Sequence, residues 1–164
     1  MKSSQALLLA TALAFTTAMY AADKTEKNVA LKNADGQFVI ISAGGGLTYV
    51  AKDGGQKSTF TLTDLNGATL DDGDEIRLKY TPEPSPDAGK NKPSYWAEKE
   101  GAVTRWPTQQ PEGSTFKLKS KDGKFLIQGA SGKSIKKSAV GLPLGTTDSA
   151  EEAAVFEVIE RTAP

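Results

Sequence analysis

Two stretches, LKNADGQFVI (residues 31–40) and LKSKDGKFLI (residues 118–127), decide how this chain is read. They are identical at six of ten positions and start 87 residues apart. In each, a β-prone run meets Asp-Gly, a pair suited to positive φ in a tight turn, and a second β-prone run follows. The same grammar extends outward on both sides. After the first copy come a glycine turn at 43–46, a short run at 47–50, a second turn at 52–55 and the run at 59–62. After the second copy come a turn at 130–132, a polar excursion at 141–152 and the run at 155–159. Phe60, Phe116 and Phe156 are each followed two positions later by an aliphatic residue (Leu62, Leu118, Val158). In a strand, both members of each such pair face one way.

The middle of the chain is a less obvious copy. Ile76, Leu78 and Tyr80 share one strand face, and Glu75, Arg77 and Lys79 share the other. Residues 81–93 hold four prolines, which no interior strand tolerates because proline lacks a ladder donor. This segment reads as a solvated loop inside the repeat. Residues 94–98 then pair with 102–106 across 99–101. Three units of about four strands follow, over 27–66, 67–115 and 116–160. Twelve short strands in three groups predict an all-β chain with a β-trefoil architecture, six strands closing a barrel and six capping it as hairpins. One four-stranded unit cannot bury its apolar face, whereas three around a pseudo-threefold axis can. Another barrel or a sandwich satisfies the same strand count. The predicted core is Leu31, Phe38, Phe60, Leu62, Ile76, Leu78, Phe116, Leu118, Phe125, Phe156 and Val158. The two ten-residue copies are expected to occupy matching opening strands of the first and third units, with Phe38 and Phe125 as equivalents.

The first residues read differently. Lys2 precedes an apolar run at 6–15 and then small residues, the layout of a secretory signal peptide cleaved after Ala21. The run is too short to span a bilayer, and no long apolar run occurs later, so stable membrane insertion is not expected. Residues 22–164 are expected to form one domain in the periplasm or outside the cell. Without residues 1–21 there are 19 basic and 20 acidic side chains, a balance unsuited to coating nucleic acid. The absence of cysteine means packing alone must hold the fold. With neither His nor Cys, a His-dependent triad, a His-ligated zinc and a Cys nucleophile are all excluded.

The phrases DGQFV (35–39), GDEIRL (73–78), SYWAE (94–98) and DGKFL (122–126) resemble those of the fascin-like β-trefoils, which include actin-crosslinking and agglutinin-like proteins. The resemblance implies the fold and a binding role carried by loops. Fascin itself would imply actin bundling through tandem trefoils, and the expectation of a single exported trefoil argues against actin as the partner. Ricin-type trefoils share the architecture, but their Gln-x-Trp motif is missing from all three closing strands, where Phe stands instead.

The ligand-binding candidates are Tyr95, Trp96, Arg105 and Trp106. Tyr95 and Trp96 must point to opposite faces of a strand. With Tyr95 in the inward position matching Phe38 and Phe125, Trp96 faces out beside the proline-rich loop, ready to stack on a sugar ring or an apolar partner. The alternative for Trp106 and Pro107 is packing over the hairpin. The acidic run 71–75 lacks the ligand spacing of a calcium loop. Lys133, Lys136 and Lys137 lack the interleaved aromatics of a nucleic-acid surface. Glu98 and Glu100, the carboxylates nearest the tryptophans, are the candidates for a less favoured carboxylate-dependent glycoside hydrolase. They flank a hairpin turn, however, and nothing in the sequence sets either up as a general acid. The expected function is non-catalytic recognition of a glycan, or of an extracytoplasmic protein as an interaction module or inhibitor, with no cofactor and no metal.

Overall fold

A computed structural model describes residues 24–67, 69–82, 93–106 and 111–162. The predicted signal segment and most of the proline-rich loop lie outside the described residues. Twelve strands form among those described: β1 (Thr25–Asn33), β2 (Phe38–Ile41), β3 (Leu47–Val50), β4 (Phe60–Asp64), β5 (Glu75–Tyr80), β6 (Ser94–Lys99), β7 (Ala102–Trp106), β8 (Phe116–Lys121), β9 (Lys124–Gln128), β10 (Ser134–Ile135), β11 (Thr146–Thr147) and β12 (Val155–Glu160). Antiparallel pairing runs β1–β4–β5–β8–β9–β12 and returns to β1, closing a six-stranded barrel. The remaining strands pair as three hairpins, β2–β3, β6–β7 and β10–β11, each attached to the barrel strand before it. This is a β-trefoil-like architecture, and closure leaves the barrel without an exposed edge.

Register shows how the three units superpose. Val29 pairs with Phe60, Ile76 with Phe116, and Phe125 with Phe156. One layer along, Leu62 pairs with Leu78, Leu118 with Ile127, and Val158 with Leu31. Phe60, Phe116 and Phe156 are therefore true equivalents, and all are buried. A third set caps them from the hairpins: Val39, Trp96 and Ile135 each lie one residue beyond the position that joins hairpin to barrel, and all three are fully buried. Leu47, Val103 and Leu144 meet nearby, linked by backbone bonds from Val103 N to Leu144 O and from Leu144 N to Leu47 O.

Several expectations change. Trp96 points inward and Tyr95 outward, the reverse of the predicted alternation. The predicted equivalence of Tyr95 with Phe38 does hold, because each pairs with the penultimate position of its barrel strand, but both face outward and are half-buried. Phe38 thus leaves the core, its place taken by Val39, and Phe38 lies under the Lys32 ammonium at 6.0 Å. Phe125 and Val158 are partly buried against the core, as equivalents of Val29 or Ile76 and of Leu62 or Leu118 respectively.

The two ten-residue copies do not occupy matching places. The first joins β1 to β2, a barrel strand to a hairpin strand. The second joins β8 to β9, the closing strand of one unit to the opening strand of the next. Their turns differ accordingly. Gly36 alone takes positive φ in the first, whereas Asp122 and Gly123 both do so in the second, giving the tight two-residue turn favoured by strand twist. The second unit therefore ends at Lys121, not at residue 115.

Trp96 is the largest side chain in the core and meets Phe60 edge-on at 4.9 Å and Phe116 at 6.4 Å. Its removal would open a cavity bordered by two of the three barrel phenylalanines. Trp96→Ala is expected to lower the unfolding free energy by about 3–5 kcal/mol in chemical denaturation, and an unchanged midpoint would refute this placement. A second prediction concerns Asp53, which binds Arg161 near the end of the chain and accepts a 2.5 Å bond from Ser58 Oγ. Partial burial opposes ionisation of Asp53, but bonds from Ser58, Arg161 and Gly55 and the Arg161 charge outweigh it and hold the carboxyl below its usual range. A depressed carboxyl stabilises the fold above the unfolded pKa near ~4 and loses that contribution as pH falls through the folded value. The melting temperature of Asp53→Asn should lie slightly below that of the parent at pH 7, and the gap should close toward pH 3. The partly exposed pair should contribute under about 1 kcal/mol.

Candidate functional site

The second hairpin departs most from the pattern of the other two. Its strands β6 and β7 join through Glu100 and Gly101, both at positive φ (53° and 80°). Glycine accepts that conformation freely, but a residue with a Cβ spends about 1 kcal/mol on it. Glu100 holds the strained position and directs a carboxylate to the rim of a cleft.

That cleft, of about 520 Å³, opens between the second and third units and is bordered by Glu98, Lys99, Glu100, Trp106, Glu112 and Ala130. Tyr95, Lys99 and Trp106 come from the outward face of the hairpin, since Tyr95 pairs directly with Trp106 and Lys99 lies four residues on. Trp106 is 37% exposed, whereas Trp96 is fully buried. The Lys99 ammonium sits 5.6 Å from the ring centroid and fixes one side of the indole.

Glu98 forms the floor. In the first unit the register puts Ile41 in this place, because Ile41 opposes Leu47 as Glu98 opposes Val103. The substitution of a carboxylate for an aliphatic residue is matched by donors from the third unit. Glu98 Oε1 accepts from Ser131 Oγ at 2.5 Å and Thr146 Oγ1 at 3.1 Å, and Oε2 accepts from Ser131 N at 2.9 Å. Its own backbone N donates to Gly113 O at 3.0 Å. Two glycines make this close approach possible. A Cβ on Gly129 would overlap the Glu98 carboxylate, and one on Gly113 would overlap the Glu98 carbonyl oxygen. With both oxygens engaged by three donors, Glu98 ties two units together and sets the cleft wall.

Beyond Glu98, Lys133 bonds to Asp148 at 2.9 Å. That bond and the Asp148 charge, with a smaller push from Glu98, raise its pKa, so it stays a cation across the physiological range.

The predicted site residues therefore separate. Trp106 lines the cleft, and Tyr95 stands beside it on the same face. Trp96 is core and cannot meet a ligand. Arg105 faces the other way, donating from Nε to Gly45 O at 2.8 Å and lying 5.7 Å from the Tyr80 ring centroid, so it joins the second hairpin to the first. The acidic run 71–75 is used within the fold: Asp74 Oδ2 accepts from Asp71 N, and Asp72 Oδ1 from Ser120 N. No cluster of metal-ligating side chains occurs among the described residues. Lys99, Glu112, Ala130 and Ser131 were not foreseen. The sequence signals near them are Glu98 and Glu100 beside the tryptophans, the turn at 130–132, and Gly113, which precedes a Ser-Thr-Phe that repeats the one at 58–60.

Gly129→Ala is expected to displace Glu98 and cost about 2 kcal/mol or more, since both a buried charge and its donors lose their partners. An equally stable variant, measured by thermal unfolding, would contradict the proposed fit. Glu98→Gln keeps an acceptor but places an NH₂ group against one of the three donors, so it should fall between the parent and Gly129→Ala.

A scan against protein-family models finds no match, and no curated protein matches in sequence. Among solved structures, the chain is similar to a Caenorhabditis elegans protein of unknown function, with a TM-score of 0.63 and 13% identity, over 87% of this chain and 98% of that one. At that identity the likeness shows the fold alone.

Proposed function

We propose that this chain is an exported, non-catalytic protein that binds a carbohydrate in the Trp106 cleft. The observation that carries the reading is the partly exposed Trp106 indole in a cleft bordered by carboxylates and an ammonium. Sugars present one apolar ring face and a rim of hydroxyls. An aromatic platform takes the first, and charged side chains accept from and donate to the second. The cleft volume falls within the range of roughly 300–1,000 Å³ common for small-ligand sites. Export rests on the signal-like segment at 1–21, and the resemblance to fascin-like trefoils supports a scaffold whose loops do the recognising.

A second reading has its own observation. Val140 and Leu142 are 50% and 53% exposed on a turn that the first unit holds in place. Gly141 N donates to Tyr49 O at 3.0 Å, and Thr48 Oγ1 donates to Leu142 O at 2.8 Å. A preformed apolar turn loses little entropy on docking, which favours an extracytoplasmic protein partner and leaves room for an inhibitory role.

Binding on a glycan array followed by titration calorimetry separates these readings. Trp106→Ala should weaken glycan binding by about tenfold or more, as loss of a central aromatic anchor does. Because the ring is on the surface, the melting temperature should stay nearly unchanged. No glycan signal, together with recovery of one defined protein that the double variant Val140→Asp and Leu142→Asp no longer retains, would favour the second reading.

A further inference from the structure

Next to the Trp106 cleft lies a second depression of about 340 Å³, and Ala130 borders both. Its other walls include Glu75, Lys117, Gln128, Gly129 and Gly132. Strand register arranges three of these in a row. Glu75 on β5 pairs directly with Lys117 on β8, and Lys117 pairs directly with Gln128 on β9. Directly opposed residues share a face, and adjacent strands lie about 4.8 Å apart, so the row is roughly 10 Å long. It offers an acceptor, an ammonium donor and an amide that does both.

Ala130, which lines both depressions, and Gly129, which lines the second, carry only small side chains or none. Gly129 has to be small because Glu98 packs against it. The same Glu98 carboxylate accepts from Ser131 N and Oγ and so fixes the segment next to Ala130.

We infer that the two depressions form one groove across the boundary of the second and third units, and that its ligand is a linear oligosaccharide filling at least two subsites. This rests on the carbohydrate reading of the Trp106 cleft and deepens it. One sugar stacks on Trp106, the chain passes over Ala130, and the hydroxyls of the next residues meet Glu75, Lys117 and Gln128. The polar row has no aromatic member among its lining residues other than buried Phe116, so its contribution comes from hydrogen bonds. It would bind a chain already anchored at Trp106 and have little affinity for a free sugar.

The test is calorimetric titration of the full chain with cello-, malto- and chito-oligosaccharides of two to six residues. In the series that binds, affinity should rise by about tenfold or more from the dimer to the tetramer and then level off. Gln128→Ala and Lys117→Ala should remove most of that gain. Ala130→Trp should also remove the gain by blocking the passage and, because Ala130 borders the Trp106 cleft as well, should weaken the dimer too. Its melting temperature checks that the fold is kept, and the two surface variants cover the case where it is not. Dimer and hexamer affinities that are equal in the parent would overturn the groove and leave the carbohydrate reading standing. A length dependence untouched by Gln128→Ala, Lys117→Ala and Ala130→Trp would also overturn it. If no oligomer binds at any length, both the groove and the carbohydrate reading fail.

Discussion

The structure depends on closing a barrel around three phenylalanines. Phe60, Phe116 and Phe156 enter from the three closing strands at equivalent register positions, and the aliphatic layer of Leu31, Leu62, Leu78, Leu118, Ile127 and Val158 lies beyond them. No single unit can bury its own phenylalanine, so each unit relies on its neighbours, and the chain has no cysteine to offset incomplete packing. The end of the barrel is sealed by the inward residues of the hairpins. Two of these are aliphatic and the third is Trp96, whose edge-to-face contacts with Phe60 and Phe116 fill the space that the smaller Val39 and Ile135 do not. The alternation of strand side chains then places the neighbours of Trp96 outside.

This constraint explains why the asymmetry lies in the second unit. A large inward residue on β6 fixes its orientation firmly, so Tyr95 and Lys99 face outward and Trp106, opposite Tyr95, does the same. On the inward side, Glu98 replaces an aliphatic residue and recruits Ser131 and Thr146 from the third unit. The boundary between these two units thus acquires a charged staple, two glycines that cannot carry a side chain, and an open cleft. The corresponding place in the first unit is filled by Ile41, which packs into the common core.

Much of the fold was legible because trefoil closure leaves a periodic trace. The Phe-x-aliphatic motif gave the three closing strands, and the alternation of Ile76, Leu78 and Tyr80 gave the middle opening strand. The sequence also carried two echoes that imply different registers. Ser-Thr-Phe at 58–60 and at 114–116 marks equivalent places, while the longer match between 31–40 and 118–127 reflects only that both segments turn through Asp-Gly between apolar strands. Identity was therefore a poorer guide than position along the unit. The orientation of Tyr95 and Trp96 was not legible at all. Alternation says that the two differ in direction, but which one is inward depends on the register of β6 against β5, where Lys79 opposes Tyr95. The cleft was hidden for a similar reason, since Glu98, Gly113 and Ser131 are brought together only by closure.

The two tryptophans provide the most direct check, because the chain has no others. Trp96 is fully buried and Trp106 is open to solvent. In collisional quenching of the intrinsic fluorescence by iodide and acrylamide, the account predicts one accessible, red-shifted emitter and one protected, blue-shifted emitter, with the accessible component missing from Trp106→Phe. Two equally quenched tryptophans, or a quenchable signal that survives in Trp106→Phe, would show that Trp96 is not the seal of the barrel and would contradict the arrangement on which both the fold and the cleft rest.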